Sequence, residues 1–170
     1  FEPSFENKIN IHVGGAYGGQ FEETAKRWIA GWHRLSDNCK KRLVLENDDK
    51  PSLWSVRMLY HYFHKEIKIP ITFDYHHHAF HPDELTERQA LELARETWPD
   101  NVRQCTHYSE SRAKEKMDES IRPQAHSDYI VDKINTYGLE LDIVIEAKAK
   151  ELALLEYRNI YAYNNKKVLI

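Results

Sequence analysis

The sequence predicts an α/β protein of the (β/α)8 TIM-barrel class, with about five βα units supplied by this chain. Three observations carry that expectation. Short β-branched runs alternate strictly with longer segments of helical period. The strand runs are largely apolar, as in a parallel sheet covered by helices. Side chains that bind metals recur at or just past strand ends, at His12, Glu46, Asp74 with His77, His107 and Glu146. In an open doubly wound sheet these would line a row whose outer members share no centre. In a barrel, all strand C-termini open onto one rim.

The elements follow in order. Ile9-Asn10-Ile11-His12-Val13 alternates as a strand and runs into the flexible Gly14-Gly15-Ala16-Tyr17-Gly18-Gly19. Phe21, Ala25, Trp28, Ile29, Trp32 and Leu35 keep helical spacing from about Gln20 to Leu35. Arg42 to Asn47 is the second strand, and Asp48-Asp49-Lys50-Pro51-Ser52 turns into a helix with the stripe Trp54, Met58, Leu59, Tyr62 and Phe63. Ile71 to Asp74 is the third strand, and Pro82 to Thr86 starts a helix carrying Ala90, Leu91, Leu93 and Ala94. Arg103 to Ser109 is a weaker fourth strand, followed by a charged loop, Glu110 to Glu119. A helix is expected from about Ser127 to Tyr137, then a strand from Asp142 to Glu146 and a helix from Ala147 to about Tyr157.

A chain of 170 residues that is 41% hydrophobic and 30% charged is expected to form one domain, residues 1–170, and not a disordered segment. No apolar stretch approaches the ~20 residues of a membrane span, and no signal peptide is visible. Cys39 and Cys105 are too few for a disulfide framework, which fits reduced thiols and an intracellular setting. A net charge of -3 gives no global sign of nucleic-acid binding, so such affinity would need a local patch. The glycine loop matches neither a dinucleotide fingerprint nor a P-loop.

The site is organised around Phe73-Asp74-Tyr75-His76-His77-His78, where D-x-x-H stands at the end of a strand and the start of a loop. A carboxylate and an imidazole emerging together offer lone pairs to one point, as a divalent metal requires. His12, His77, His107 and His126 with Glu46, Asp74 and Glu146 exceed the needs of one ion, so roughly two or three are expected, with a glutamate bridging a pair. The mixed N/O set favours Mn²⁺ or Zn²⁺, with Mg²⁺ also compatible, and clustered ions suit in-line attack on a phosphodiester. Taken singly, each residue has a plainer reading. A strand-end Glu is commonly a cap or salt-bridge partner, and His107 could be a satisfied core histidine. His33, His61 and His64 fall on helical segments, and His76, His78 and His81 are expected to support the site or face solvent. Tyr17 and Tyr108 could stack on bases or simply pack at the rim.

Several blocks stand in order along the chain. They are His12-Val13-Gly14-Gly15-x-Tyr17-Gly18, Leu43-Val44-Leu45-Glu46-Asn47-Asp48-Asp49, Phe73-Asp74-x-x-His77-His78, His107-x-Ser109, Ala125-His126-x-Asp128-Tyr129 and Ile145-Glu146-Ala147-Lys148-x-Lys150-x-Leu152-Ala153-Leu154. Together they resemble the ultraviolet-damage endonucleases, relatives of endonuclease IV and the xylose-isomerase-like barrels. The E-N-D-D and E-A-K-x-K-x-L-A-L blocks are the most specific. The resemblance implies a barrel with about three divalent ions, often Mn²⁺, at its C-terminal mouth. It also implies ATP-independent cutting of damaged double-stranded DNA 5′ to lesions such as pyrimidine dimers, leaving a 3′-hydroxyl. His12, Glu46, Asp74, His77, His107, His126 and Glu146 match the family's ligands. Glu46 takes the place of a bridging carboxylate, and Glu146 helps hold the metal pair around the attacking water.

Two departures accompany the resemblance. The five units match the last five strands of the barrel. The first three would then lie on another chain or segment, with one more His ligand and a damage-probing Gln-Tyr pair, and the chain alone is expected to be incomplete as an enzyme. Some members also place a modifiable, metal-binding lysine two residues before the His matched by His107, where this chain has Cys105. Cys105 is therefore either a thiolate ligand or a small core residue. The competing readings are a sugar isomerase or epimerase of the same superfamily, and a metal-binding fragment without catalysis.

Overall fold

The computed structural model describes residues 2–161. Its centre is a five-stranded parallel sheet in the order β1-β2-β3-β4-β5, with β1 Ile9–Ile11, β2 Leu43–Glu46, β3 Ile71–Asp74, β4 Gln104–Tyr108 and β5 Leu141–Ile145. Each strand pairs only with its sequence neighbours. A doubly wound sheet reverses its strand order at a switch point, and this one never does, so the sheet is an arc of a barrel.

The helices are α1 Phe21–His33, α2 Asp37–Lys40, α3 Val56–Leu59, α4 Lys65–Ile67, α5 Tyr75–Phe80, α6 Glu87–Arg95, α7 Arg112–Lys116 and α8 Glu151–Tyr161. A π-helical turn, Tyr60–His64, joins α3 to α4. Four starts are fixed by side-chain caps, that of α5 by Asp74. Ser36 accepts from the Cys39 N–H and Ser55 from that of Met58, while Thr86 forms a capping box with Gln89.

Strand periodicity sorts the two faces. Leu43, Leu45, Ile71 and Phe73 point into the main core with Trp54, Val56, Leu59, Phe63, Ala90, Leu91 and Ala94 from the covering helices. On the other face Val44 and Cys105 pack with Trp98 and Val102, and Phe5 lies against them. That small cluster fills the concave side below the rim, because Val44 and Cys105 each stand two residues before a rim side chain, Glu46 and His107. Trp98 Nε1 also donates to the Ile71 carbonyl at the start of β3, 2.7 Å away.

Four expectations need correction. The segment expected to be a helix from Ser127 to Tyr137 is irregular. The N–H groups a helix would need are taken by distant acceptors: Glu115 accepts from Asp128 and Tyr129, Glu110 from Val131 and Asp132, and the Tyr157 hydroxyl from Ile134. The charged loop after β4 contains α7. The first strand ends at Ile11, short of His12 and Val13. The last helix begins at Glu151, after a turn in which Lys150 has a left-handed φ of 52°.

Candidate metal centre

His12 follows β1 on its inward-facing register, two residues after Asn10, whose amide donates to the Glu46 carboxylate. Glu46 closes β2 at 3% exposure. Asp74 and His77 lie at the junction of β3 and α5, and this is a strand–helix junction where a strand–loop junction is expected from sequence. The reason is local: Asp74 is the N-cap of α5, and its Oδ1 accepts the His77 N–H at 2.7 Å. The D-x-x-H spacing is therefore the cap geometry itself. One carboxylate oxygen binds the helix end, and the other, Oδ2, is left buried with no hydrogen-bond partner.

His107 sits on β4 in direct register with Asp74. His126 arrives on the chain between α7 and β5. An isolated antiparallel bridge between Ser111 and His126 holds it there, and the Arg112 N–H donates to the Ala125 carbonyl at 2.7 Å. Glu146 directly follows β5 and is anchored by its N–H to the Tyr108 carbonyl, 2.9 Å away.

All seven sequence-predicted residues converge. Glu46 Oε1 is 3.8 Å from His12 Nε2 and 3.4 Å from His77 Nδ1, and its Oε2 is 3.2 Å from His107 Nδ1. Glu146 Oε1 lies 3.2 Å from the same His107 nitrogen, and Oε2 is 3.6 Å from His126 Nδ1. Two sets have ligand atoms close enough to share an ion: His12, Glu46 and His77, and Glu46, Asp74 and His107. Glu46 belongs to both. Glu146 adjoins the second set through His107, and His126 adjoins Glu146, but they complete no third set among the described residues.

The electrostatics match this crowding. Burial pushes the Asp74 carboxyl up to about 6 against the pull of His77, and Glu46 and Glu146 add to the rise. Burial opposes charge on His107, but Cys105, Glu146 and Glu46 outweigh it and push the ring up to about 12. Glu46 is drawn up by burial, yet His107, His12 and His77 hold it below the usual carboxylate range. Hydrogen bonding to His107 likewise lowers Glu146. His126 is lowered by burial. Three carboxylates facing one cleft favour a cation among them. The orphaned Asp74 Oδ2 is a buried lone-pair atom of the kind a divalent ion satisfies, and it stands beside imidazole and carboxylate donors, so the donor set fits such an ion.

Cys105 belongs to the apolar cluster below the rim and to neither ligand set. His76 and His78 are buried, not solvent-facing. His76 Nε2 meets the Gln124 carbonyl at 3.2 Å, and its ring stands edge-on to His126. Tyr108 packs edge-on against Tyr75, whereas Tyr17 is 82% exposed. Sequence reasoning missed the roles of Asn10, Asn47 and Asp48. The available signal was their proximity, since Asn10 shares the face of His12 and the other two follow Glu46 directly.

A sequentially ordered parallel arc with a His–carboxylate cluster on the C-terminal rim defines an α/β barrel protein of the kind that carries its chemistry at that rim. The family model described as UV-endonuclease UvdE matches residues 2–169, and the chain belongs to that family. It is 38% identical over 161 residues to the UV-damage endonuclease of Schizosaccharomyces pombe (strain 972 / ATCC 24843), covering 91% of this chain and 26% of that protein. Over 161 residues it is 35% identical to the UV DNA damage endonuclease of Bacillus cereus (strain Q1), covering 88% of this chain and 47% of the relative. The crystal structure of SacUVDE superposes with a TM-score of 0.75 at 32% identity, covering 94% of this chain and 52% of that one. The chain thus spans about half the length of the bacterial relative and a quarter of the fission-yeast one. Among the described residues no helix is long and apolar enough to cross a membrane.

Proposed function

We propose that this chain forms the metal-binding C-terminal part of a DNA repair endonuclease that hydrolyses the phosphodiester 5′ to ultraviolet lesions such as pyrimidine dimers. The observation that carries this reading is the place of Glu46 in both ligand sets, because one carboxylate shared between two sets is how a pair of ions is bridged. His12 and His77 would hold one ion with Glu46, and Asp74 and His107 the other. Glu146 and His126 would complete the rim on the β5 side. Bound ions of the Mn²⁺, Zn²⁺ or Mg²⁺ type supply Lewis acidity for attack on a phosphodiester and for departure of the leaving oxygen.

The chain's own groups do the rest. Val44, Trp98, Val102 and Cys105 close the concave side beneath the rim against water. Glu146, a third exposed, faces His107 with one carboxylate oxygen and His126 with the other, which supports a role in orienting both rings at the rim. Exposed Tyr17 stands on the glycine loop above β1, where a displaced base could stack on it. Double-stranded DNA carrying the lesion is the proposed substrate, and an intracellular location follows from that substrate. The sugar isomerase reading gains no support from these relatives.

The test is a labelled duplex with one pyrimidine dimer, incubated with Mn²⁺. It is run with the chain alone and with the chain joined to the portion of the Bacillus cereus relative outside the match. Incision 5′ to the dimer with a 3′-hydroxyl end is expected from the joined protein, with undamaged duplex left intact. No incision by the joined protein with any divalent metal would overturn the reading.

A further inference from the structure

We propose that Asp48 is a positioning residue that fixes which nitrogen His12 presents to the metal centre, an inference that rests on the metal reading above. Asp48 lies two residues beyond Glu46 and is 7% exposed. Its Oδ1 is 2.9 Å from His12 Nδ1. A carboxylate can only accept, so Nδ1 must carry the proton. The lone pair of the neutral ring then lies on Nε2, the atom that faces Glu46 Oε1. Asp48 is itself held in place. Its backbone N–H donates to the Trp54 carbonyl at 2.8 Å, and Oδ2 accepts from the Trp54 N–H at 3.3 Å.

A related contact lies one residue earlier. The backbone carbonyl of Asn47, also acceptor-only, lies 2.8 Å from His77 Nδ1 and anchors that ring, whose Nδ1 is also 3.4 Å from Glu46 Oε1. The Asn47 side chain continues the β2–β3 pairing beyond its last ladder pair, Glu46 with Thr72. Its Oδ1 accepts from the Asp74 N–H at 2.8 Å, and its Nδ2 donates to the Asp74 carbonyl at 3.1 Å. Glu46-Asn47-Asp48 is therefore one segment in which the first residue belongs to both ligand sets and the next two contact His77 and His12. Orientation of a ligand imidazole through its second nitrogen raises its basicity and removes the wrong tautomer before binding. A purely structural role would tie the turn to Trp54 and leave the His12 ring free to choose its tautomer.

The experiment compares the full chain with Asp48→Asn, an isosteric change whose amide can donate as well as accept. Long-range ¹H–¹⁵N spectra of the histidine rings are recorded in metal-free protein at a pH where His12 is neutral. Mn²⁺ affinity is measured by chelator competition, and the thermal midpoint without metal serves as the folding control. The native chain is expected to show His12 with its proton on Nδ1. The variant should show a mixture of tautomers, Mn²⁺ binding weaker by about 10–100-fold and an unchanged midpoint. Asp48→Ala should weaken binding further. A variant that keeps either the native His12 pattern or the native Mn²⁺ affinity overturns the inference. A native chain that takes up neither Mn²⁺, Zn²⁺ nor Co²⁺ defeats the metal reading itself, which is a distinct result.

Discussion

Asp74 and His107 are register partners across the β3–β4 ladder: Asp74 Oδ2 is buried with no hydrogen-bond partner, and His107 Nδ1 lies 3.2 Å from both Glu46 Oε2 and Glu146 Oε1. Leaving the Asp74 oxygen unpaired costs on the order of 1–3 kcal/mol. Both residues share a ligand set with Glu46, which also faces His12 and His77. The arrangement is costly as a core and well suited to holding cations.

The first prediction concerns that shared carboxylate. Purified chain reconstituted with Mn²⁺ or Zn²⁺ should hold at least two ions, counted by elemental analysis. Glu46→Gln should lower the occupancy of both together, and loss of only one would show that Glu46 does not bridge. A chelator should lower the thermal midpoint of the loaded protein, since about 2.7 kcal/mol of stabilisation is expected at metal concentrations 100 times Kd.

Glu146, directly after the last strand, contacts His107 and His126. Glu146→Gln in the joined, incising protein should therefore abolish cutting while DNA affinity stays within about twofold, the scatter allowed for a change that removes no backbone contact. Incision assays and fluorescence anisotropy on one preparation check it. Equal loss of both would contradict this role.

Tyr17 is the most exposed aromatic side chain near the rim and has no ring partner among the described residues. Tyr17→Ala should weaken binding of lesion-bearing duplex by about 1–3 kcal/mol, the usual worth of a base stacked on an aromatic ring. Its urea midpoint should not move. Anisotropy titrations at one fixed salt concentration decide it, because retention itself falls steeply with salt.

Asp83 supplies a pH prediction away from the candidate centre. Burial alone would raise its carboxyl, but hydrogen bonds from Arg57 and Ser55 hold it below the ordinary Asp value. A carboxyl lowered on folding contributes stability that is fully present above its unfolded pKa of about 3.9 and lost as pH falls through the folded value. Asp83→Asn should therefore cost about 1 kcal/mol at neutral pH and progressively less below about pH 4. Denaturant unfolding at several pH values would show the two curves converging in acid, and parallel curves would refute the assignment.

Trp54 is fully buried, meets Phe21, Tyr62 and Phe63 edge-on, and donates from Nε1 to the Gly14 carbonyl at 2.7 Å. Trp54→Ala should cost about 3–5 kcal/mol in urea unfolding. Trp54→Phe should cost less in stability but free the glycine loop, which hydrogen exchange at Gly14 and Gly15 would report.

The sequence by itself determined the five strands, the helical character of most segments between them and which side chains stand at the rim, because these follow from local rules. Apolar period distinguishes strand from helix, and a His or Glu just past an apolar run needs no distant partner to be noticed. It also carried the Asp74 cap in its D-x-x-H spacing, although that spacing reads equally as a strand running into a loop. Only the tertiary structure decided the rest. The Ser127–Tyr137 segment has helical spacing in Tyr129, Ile130 and Ile134, yet Glu110, Glu115 and Tyr157 claim its N–H groups from a distance. Ladder register set Asp74 opposite His107, and strand order placed Glu46 between the strands that lead into His12 and His77. The pairing of His12 with Asp48 and of His77 with Asn47 likewise exists only across strands. Periodicity is written within a few residues, whereas a hydrogen-bond partner 27 to 36 positions away is chosen by packing.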